Sequence, residues 1–233
     1  MVYALVFAGG VGSRMGLELP KQFIEVEGKP IIIHTLEVFE KSDIVDKIVV
    51  VTLKDYIETV LSLAKQFKIT KVIDVIPGGK TAMDSQFNGL EYLMKNAEEN
   101  DIVMIHDGVR PFINHELLCS CKETALAKGN AITISPATET ISILGSERNI
   151  QTILPRQQCV LARAPQVFFL KDIYNYHLLA RATNQSFVDS ASLVMSFGKE
   201  LNVVEGPSEN IKITTQYDLM LCKLWMKEKY ENN

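Results

Sequence analysis

The feature that most constrains this chain is an apolar run of strand length, Val2-Tyr3-Ala4-Leu5-Val6-Phe7-Ala8, that ends abruptly in glycines at Gly9, Gly10, Gly12 and Gly16. Such a run reads as a buried strand feeding a tight loop. Glycines there permit positive φ and let a ligand approach the backbone closely. Several N–H groups turned toward one point make an anion-binding nest. Arg14 lies within the loop and Lys21 just beyond it, after Leu19-Pro20. A glycine cradle with two fixed cations suits a nucleoside triphosphate, so the backbone from Ala8 to Gly12 is the candidate phosphate site, with Arg14 and Lys21 as candidate catalytic cations. Two better-known phosphate loops do not fit. The dinucleotide fingerprint fails after Gly10-Val11-Gly12, and Gly79-Lys80-Thr81 has no glycine at the spacing a P-loop requires.

With 233 residues the chain is long enough for one α/β domain that buries roughly 70% of its unfolded surface. A net charge of -4 argues against a nucleic-acid partner or an anionic membrane surface. Nucleotide affinity must come from local cations. Cys119, Cys121, Cys159 and Cys222 form no C-x-x-C pair and no zinc spacing, which fits reduced, packed thiols in the cytoplasm. The N-terminal apolar run is too short for a membrane helix, and no basic region precedes it.

Downstream, strands alternate with helices. Residues 29–39 read as a helix with Pro30 in its first turn, 44–52 as a buried strand, 55–67 as a helix and 71–76 as a strand. This alternation implies a mostly parallel sheet with helices on both faces. A second glycine turn, Pro77-Gly78-Gly79, opens a helix over 81–95. The run 101–107 is an apolar strand ending in His106-Asp107, which sets a carboxylate at the ligand edge of the sheet, where Mg²⁺ could bridge it to phosphate oxygens. A helix over 114–127 and a strand over 131–137 follow. Two short β-prone pieces, 139–144 and 149–154, flank Gly145-Ser146-Glu147 as a hairpin whose isoleucines and leucines need a partner to cover them. Helices over 172–182, 190–197 and 216–229 complete the chain, with Asp189 as a helix cap and Met and Trp225 of the last helix as packing residues.

Five ordered motifs resemble those of the sugar-alcohol phosphate cytidylyltransferase family, whose acceptors include ribitol 5-phosphate and 2-C-methyl-D-erythritol 4-phosphate. They are Ala8-Gly9-Gly10-x-Gly12-x-Arg14-Met15-Gly16 with Pro20-Lys21-Gln22, Gly78-Gly79 with Ser85, His106-Asp107-x-x-Arg110-Pro111, Ala164-Pro165-Gln166-x-Phe168, and Lys212 in its strand-like segment. The resemblance implies a single nucleotidyltransferase domain over 1–233 with a β-arm at 138–156. It implies transfer of CMP from CTP to a polyol phosphate, with release of pyrophosphate. Gly78, Gly79 and Ser85 would hold the cytidine and Asp107 the Mg²⁺, with Glu209 in the place of a second acidic ligand. Arg156 and Lys212 would align the attacking phosphate. Thr140 and Arg156, carried by the arm, would complete the site of a second copy in a homodimer.

This chain departs from the family pattern at Lys80, Ala82 and Ala164, where aspartate, arginine and threonine are usual. Ala8-Gly9-Gly10, Val109-Arg110-Pro111-Phe112 and Lys212-Ile213-Thr214-Thr215 lean toward ribitol 5-phosphate, whereas the short interval from Arg14 to Lys21 leans toward the methylerythritol acceptor. A non-catalytic homologue and a dinucleotide-dependent oxidoreductase are the rival classes; the retained cations oppose the first and the failed fingerprint the second.

Overall fold

The computed structural model describes residues 1–10 and 19–231. Its elements, in chain order, are β1 (Val2–Ala8), β2 (Glu25–Val26), β3 (Lys29–Pro30), α1 (Ile31–Lys41), β4 (Lys47–Thr52), α2 (Ile57–Gln66), β5 (Val72–Pro77), α3 (Ala82–Asn96) and β6 (Ile102–Asp107). Then come α4 (His115–Lys128), β7 (Asn130–Pro136), β8 (Ser142–Leu144), β9 (Ile150–Ile153), β10 (Val160–Phe169), α5 (Leu170–Ala182), α6 (Ser190–Ser196), β11 (Val203–Glu205) and α7 (Gln216–Glu231).

A seven-stranded sheet runs in the order β11-β7-β10-β6-β1-β4-β5. The pairs β6–β1, β1–β4, β4–β5 and β11–β7 are parallel; β10 is antiparallel to both of its neighbours, β6 and β7. Side chains alternate across a strand, and β1 sorts accordingly. Val2, Ala4, Val6 and Ala8 enter one core with Ile32, Leu36 and Phe39 of α1 and Leu118 and Cys121 of α4. Tyr3 and Leu5 enter the other, with Leu90 and Leu93 of α3, Ile173 of α5 and Leu193 of α6. Both faces are covered, which is why the central strands read as continuous apolar runs.

Local chemistry sets the element ends. Pro30 caps α1 from outside its first turn, rather than standing within it. Thr81 and Asp84 form a reciprocal capping box at the start of α3, Asn114 caps α4, and Gly129 closes that helix in the left-handed conformation. Asp189 caps α6, as its place in the sequence implies. In α7, Leu219, Cys222 and Met226 pack into a third cluster with Val109 and Ile213, and Trp225 meets Phe112 edge-on at 5.1 Å. The packing expectation therefore holds for Leu219, Cys222, Trp225 and Met226, whereas Leu224, which falls at the same helical intervals, is exposed, as is Met220. All four cysteines are free; Cys121 and Cys222 are buried and the other two half-buried. Among the described residues no helix is long and apolar enough to cross a membrane.

His177 lies buried in α5 with no partner for its Nε2. Burial, aided by Arg181, pushes its pKa down to about 4. The unfolded chain therefore takes up the proton first as pH falls, so stability is full above about pH 6.5 and declines toward pH 4. The expected loss from this one group is roughly 3 kcal/mol at pH 4. His177→Gln should flatten the fall of Tm between pH 7 and 4.5 relative to the wild type; parallel curves would refute the assignment.

Candidate active site

A cleft of about 590 Å³ opens at the carboxyl ends of β1 and β6, the edge where open α/β sheets bind ligands. The end of β1 is fixed from two sides. The Ala8 carbonyl accepts from Gln22 Nε2 at 2.5 Å and from Thr52 Oγ1 at 3.1 Å. Gly9 and Gly10 line the cleft, and neither uses the positive φ that glycine permits. Their use here is the space left by the missing side chain: a Cβ on Gly9 would meet nothing within 4 Å, and one on Gly10 would touch only Lys21 Cε at 3.6 Å. Lys21 itself sits in a short 3-10 turn, Lys21–Phe23, and is 8% exposed. Gly12 and Arg14 lie outside the described residues.

The second glycine turn forms the opposite wall. Gly79 donates its N–H to Ser85 Oγ at 3.0 Å, and that hydroxyl donates to the Thr81 carbonyl at 2.9 Å. A Cβ on Gly79 would fall 2.2 Å from Asp84 Cβ, so glycine is required by the close approach of α3 and not by its φ. Gly79 and Ser85 line the cleft with Lys80 and Ala82; Gly78 stands behind them, its N–H bonded to the Thr52 carbonyl at 2.7 Å. Arg181 Nη1 holds Asp84 at 2.9 Å and the guanidinium lies over the Phe87 ring at 4.2 Å, tying this helix start to α5.

Asp107, at the end of β6, is flanked by two cations. Arg110 Nε donates to Oδ2 at 2.8 Å and Lys212 Nζ to Oδ1 at 2.6 Å. Lys212 and Arg110 together hold the carboxyl well below the usual carboxylate range, against the opposing effect of burial. The two partners differ in exposure: Arg110 is 10% exposed and Lys212 44%. Oδ2 is therefore the fixed oxygen and Oδ1 the exchangeable one. Arg110 Nη1 also donates to the Asn210 carbonyl at 2.9 Å, and Asn210 Nδ2 to the Ala164 carbonyl at 2.6 Å, so the loop after β6, the turn before Lys212 and β10 form one network. His106 Nε2 donates to the Arg110 carbonyl at 3.1 Å. Burial depresses its pKa to about 4, and it is a neutral buttress of that loop.

Asp189 lines the cleft, but its oxygens accept from the Ser192 N–H and from Gln166 Nε2, each at 2.9 Å. Glu209 is exposed and is not among the residues lining the cleft. Among the described residues no three His, Cys, Asp or Glu side chains converge as a metal-ligand group. Asp107 lines the cleft as a carboxylate, an oxygen donor of the kind that Mg²⁺ takes together with waters and substrate phosphates. Thr140 and Arg156 stand outside the cleft and are exposed; Arg156 Nη1 donates to the Thr138 carbonyl at 3.3 Å. The hairpin β8–β9 that lies between them exposes Ile143, Leu144, Ile150 and Ile153.

Two residues of the cleft escaped the reading of the sequence. Gln22 fixes the end of β1, and its place beside Lys21 in the first motif was the available signal. Arg163 lines the cleft from β10, and nothing in the periodicity of that segment marks it.

The model of the family described as IspD, 2-C-methyl-D-erythritol 4-phosphate cytidylyltransferase, matches residues 2–228. A ribitol-5-phosphate cytidylyltransferase of Vibrio parahaemolyticus is 43% identical over 96% of this chain and 94% of its own. A 2-C-methyl-D-erythritol 4-phosphate cytidylyltransferase of Geotalea uraniireducens is 42% identical over 97% of each chain. Among solved structures, 4-diphosphocytidyl-2C-methyl-D-erythritol synthase from Anaerococcus prevotii superposes with a TM-score of 0.85 at 27% identity, covering 97% of this chain and 96% of that one. A signature read from five short motifs thus extends over nearly the whole length, in sequence and in fold, and the chain belongs to the IspD family of CTP-dependent cytidylyltransferases.

Proposed function

We propose that the protein transfers the cytidylyl group of CTP to the phosphate of a small polyol phosphate, with ribitol 5-phosphate favoured over 2-C-methyl-D-erythritol 4-phosphate. The observation that carries this reading is the convergence, in one cleft, of Gly9, Gly10, Lys21, Gly79, Ser85, Asp107 and Lys212, which come from four separated motifs. The acceptor phosphate oxygen attacks the α-phosphorus of CTP, pyrophosphate leaves, and a CDP-alcohol forms. The nucleophile is already an oxyanion, so no strong base is needed, and catalysis rests on positioning and on charge stabilisation at the α-phosphoryl oxygens. Lys21, with Arg14, serves that charge. Gly79 and Ser85 shape the cytidine end. Lys212 leaves Asp107 Oδ1 for the acceptor phosphate, and Asp107 is the residue that would hold Mg²⁺, which when bound neutralises triphosphate charge.

The exposed apolar hairpin supports a homodimer, with Thr140 and Arg156 offered to a second copy's cleft. The favoured acceptor is supported by the Ala8-Gly9-Gly10 and Lys212–Thr215 segments and by the relative from Vibrio parahaemolyticus; the relative from Geotalea uraniireducens keeps the methylerythritol acceptor as the second reading. Pyrophosphate release from CTP and Mg²⁺ should require ribitol 5-phosphate and be slow with the methylerythritol phosphate. The reverse preference would reassign the acceptor, and release with neither, despite CTP binding, would overturn the reading.

A further inference from the structure

We propose that Arg163 is an acceptor-phosphate ligand, the part of the cleft that grips the phosphate monoester of the second substrate from within the same chain. The proposal rests on the cytidylyltransferase reading above and adds to it a residue and a subsite.

The cleft is lined by the cations Lys21, Lys80, Arg110, Arg163 and Lys212, against the carboxylates Asp107 and Asp189. Arg110 and Lys212 share Asp107. Arg163 shares nothing of the kind. Its Nε donates to Ser135 Oγ at 2.9 Å, a neutral partner. Among the described residues no carboxylate lies within ion-pair distance of Arg163, and its Nη1 and Nη2 make no hydrogen bond. The guanidinium is half-buried and repelled by Arg110. A partly desolvated cation without a counter-charge is costly unless an anion completes it. The geometry is also prepared: Ser135 is 2% exposed, so the Nε end is anchored on a buried hydroxyl while the terminal nitrogens keep the fork that matches phosphate oxygens.

The place of Arg163 in the sheet decides which phosphate it takes. The pairing of β10 with β7 shifts register between Ala162 and Gln166, a bulge of the kind that re-aims a side chain next to a site. Both glycine turns belong to the side of the sheet formed by β1, β4 and β5, and β10 lies beyond β6 on the other. A nucleotide spanning Gly9–Gly10 and Gly79–Ser85 leaves the β6–β10 side of the cleft to the acceptor. There Arg163 faces the same space as Lys212, next to Ala164.

The test is steady-state pyrophosphate release by the full-length enzyme with each substrate varied. Arg163→Gln should raise KM for ribitol 5-phosphate by about tenfold or more, the size of one lost charge-assisted contact, with KM for CTP changed by less than about twofold. Arg163→Lys should recover part of the loss, and Ser135→Ala, which frees only the Nε anchor, should give a smaller rise of the same kind. An unchanged acceptor KM in Arg163→Gln overturns the proposal, as does an equal rise in the KM for CTP. Should the wild type release no pyrophosphate with either acceptor, the functional reading itself has failed. Calorimetry with inorganic phosphate then tests the subsite separately: weaker binding by Arg163→Gln than by wild type supports it, and equal binding refutes it. Arg163→Lys serves the same comparisons if Arg163→Gln does not fold.

Discussion

Lys21→Ala should lower kcat by about 10²–10³, a loss of roughly 3–4 kcal/mol of transition-state stabilisation, while leaving the fold intact. The magnitude follows from preorganisation. Lys21 is almost fully buried, its turn follows Pro20, and its neighbour Gln22 is bonded to the very carbonyl at which β1 ends. The ammonium is thus delivered to the end of the strand by backbone that is fixed before substrate arrives. A cation placed in this way costs no reorganisation when negative charge grows on the α-phosphoryl group, and its burial makes its field stronger than it would be in water. Lys21→Arg keeps the charge on a longer, planar head that cannot sit against Gly10 in the same way, and should recover only part of the rate. Circular dichroism and single-turnover pyrophosphate release are the measurements. A folded Lys21→Ala enzyme with near-normal kcat would show that the charge is supplied elsewhere.

Much of this was legible in the chain because the physics is local. The run Val2–Ala8 is apolar on both alternating faces and could only be a strand covered from both sides, and Asn114, Thr81 and Asp189 stand where helices start because their side chains cap free N–H groups. The strand β10 was not legible: Val160–Phe169 carries Arg163, Pro165 and Gln166 among its apolar residues and is exposed over its first three positions, and its antiparallel pairing is decided by the chain returning past β6. The site divides in the same way. Lys21, Asp107 and Lys212, which line the cleft, were marked beforehand because each sits in a motif contiguous in sequence. Arg163, which also lines the cleft, was not marked, because its surroundings among the described residues are a property of three dimensions. Neither Gly9 nor Gly79 uses the positive φ that glycine permits. A glycine marks a place where a side chain is excluded, and sequence does not say whether backbone angle or a neighbour excludes it; at Gly79 it is Asp84.

Asp107→Ala should destabilise the protein by about 3–5 kcal/mol and abolish measurable turnover, because it removes the counter-charge of a guanidinium that is 10% exposed. Without the carboxylate, Arg110 retains the Asn210 carbonyl but stands in the same cleft as Lys21, Arg163 and Lys212. In a chain of this size the loss corresponds to a fall in Tm of roughly 6–20 °C. Asp107→Asn separates the two effects. The amide oxygen can still accept from Arg110, so most of the Tm should return, whereas a neutral group can neither balance Lys212 nor hold a divalent cation, and turnover should stay lost. If Asp107→Asn recovers activity along with Tm, Asp107 serves the fold alone. The pH dependence sharpens the distinction. Since its two cations hold the Asp107 carboxyl below the ordinary carboxylate range, its contribution is fully present above the unfolded pKa near 3.8 and is lost only as pH falls through the lower folded value. The buried histidines act earlier: His106 and His177, both pushed to about 4, weaken the fold as soon as pH falls below about 6.5. Acid unfolding of the wild type should therefore be governed by the imidazoles while the Asp107 pair is still intact. The Tm difference between wild type and Asp107→Ala should accordingly stay nearly constant from pH 7 to pH 5, as both proteins lose stability in parallel.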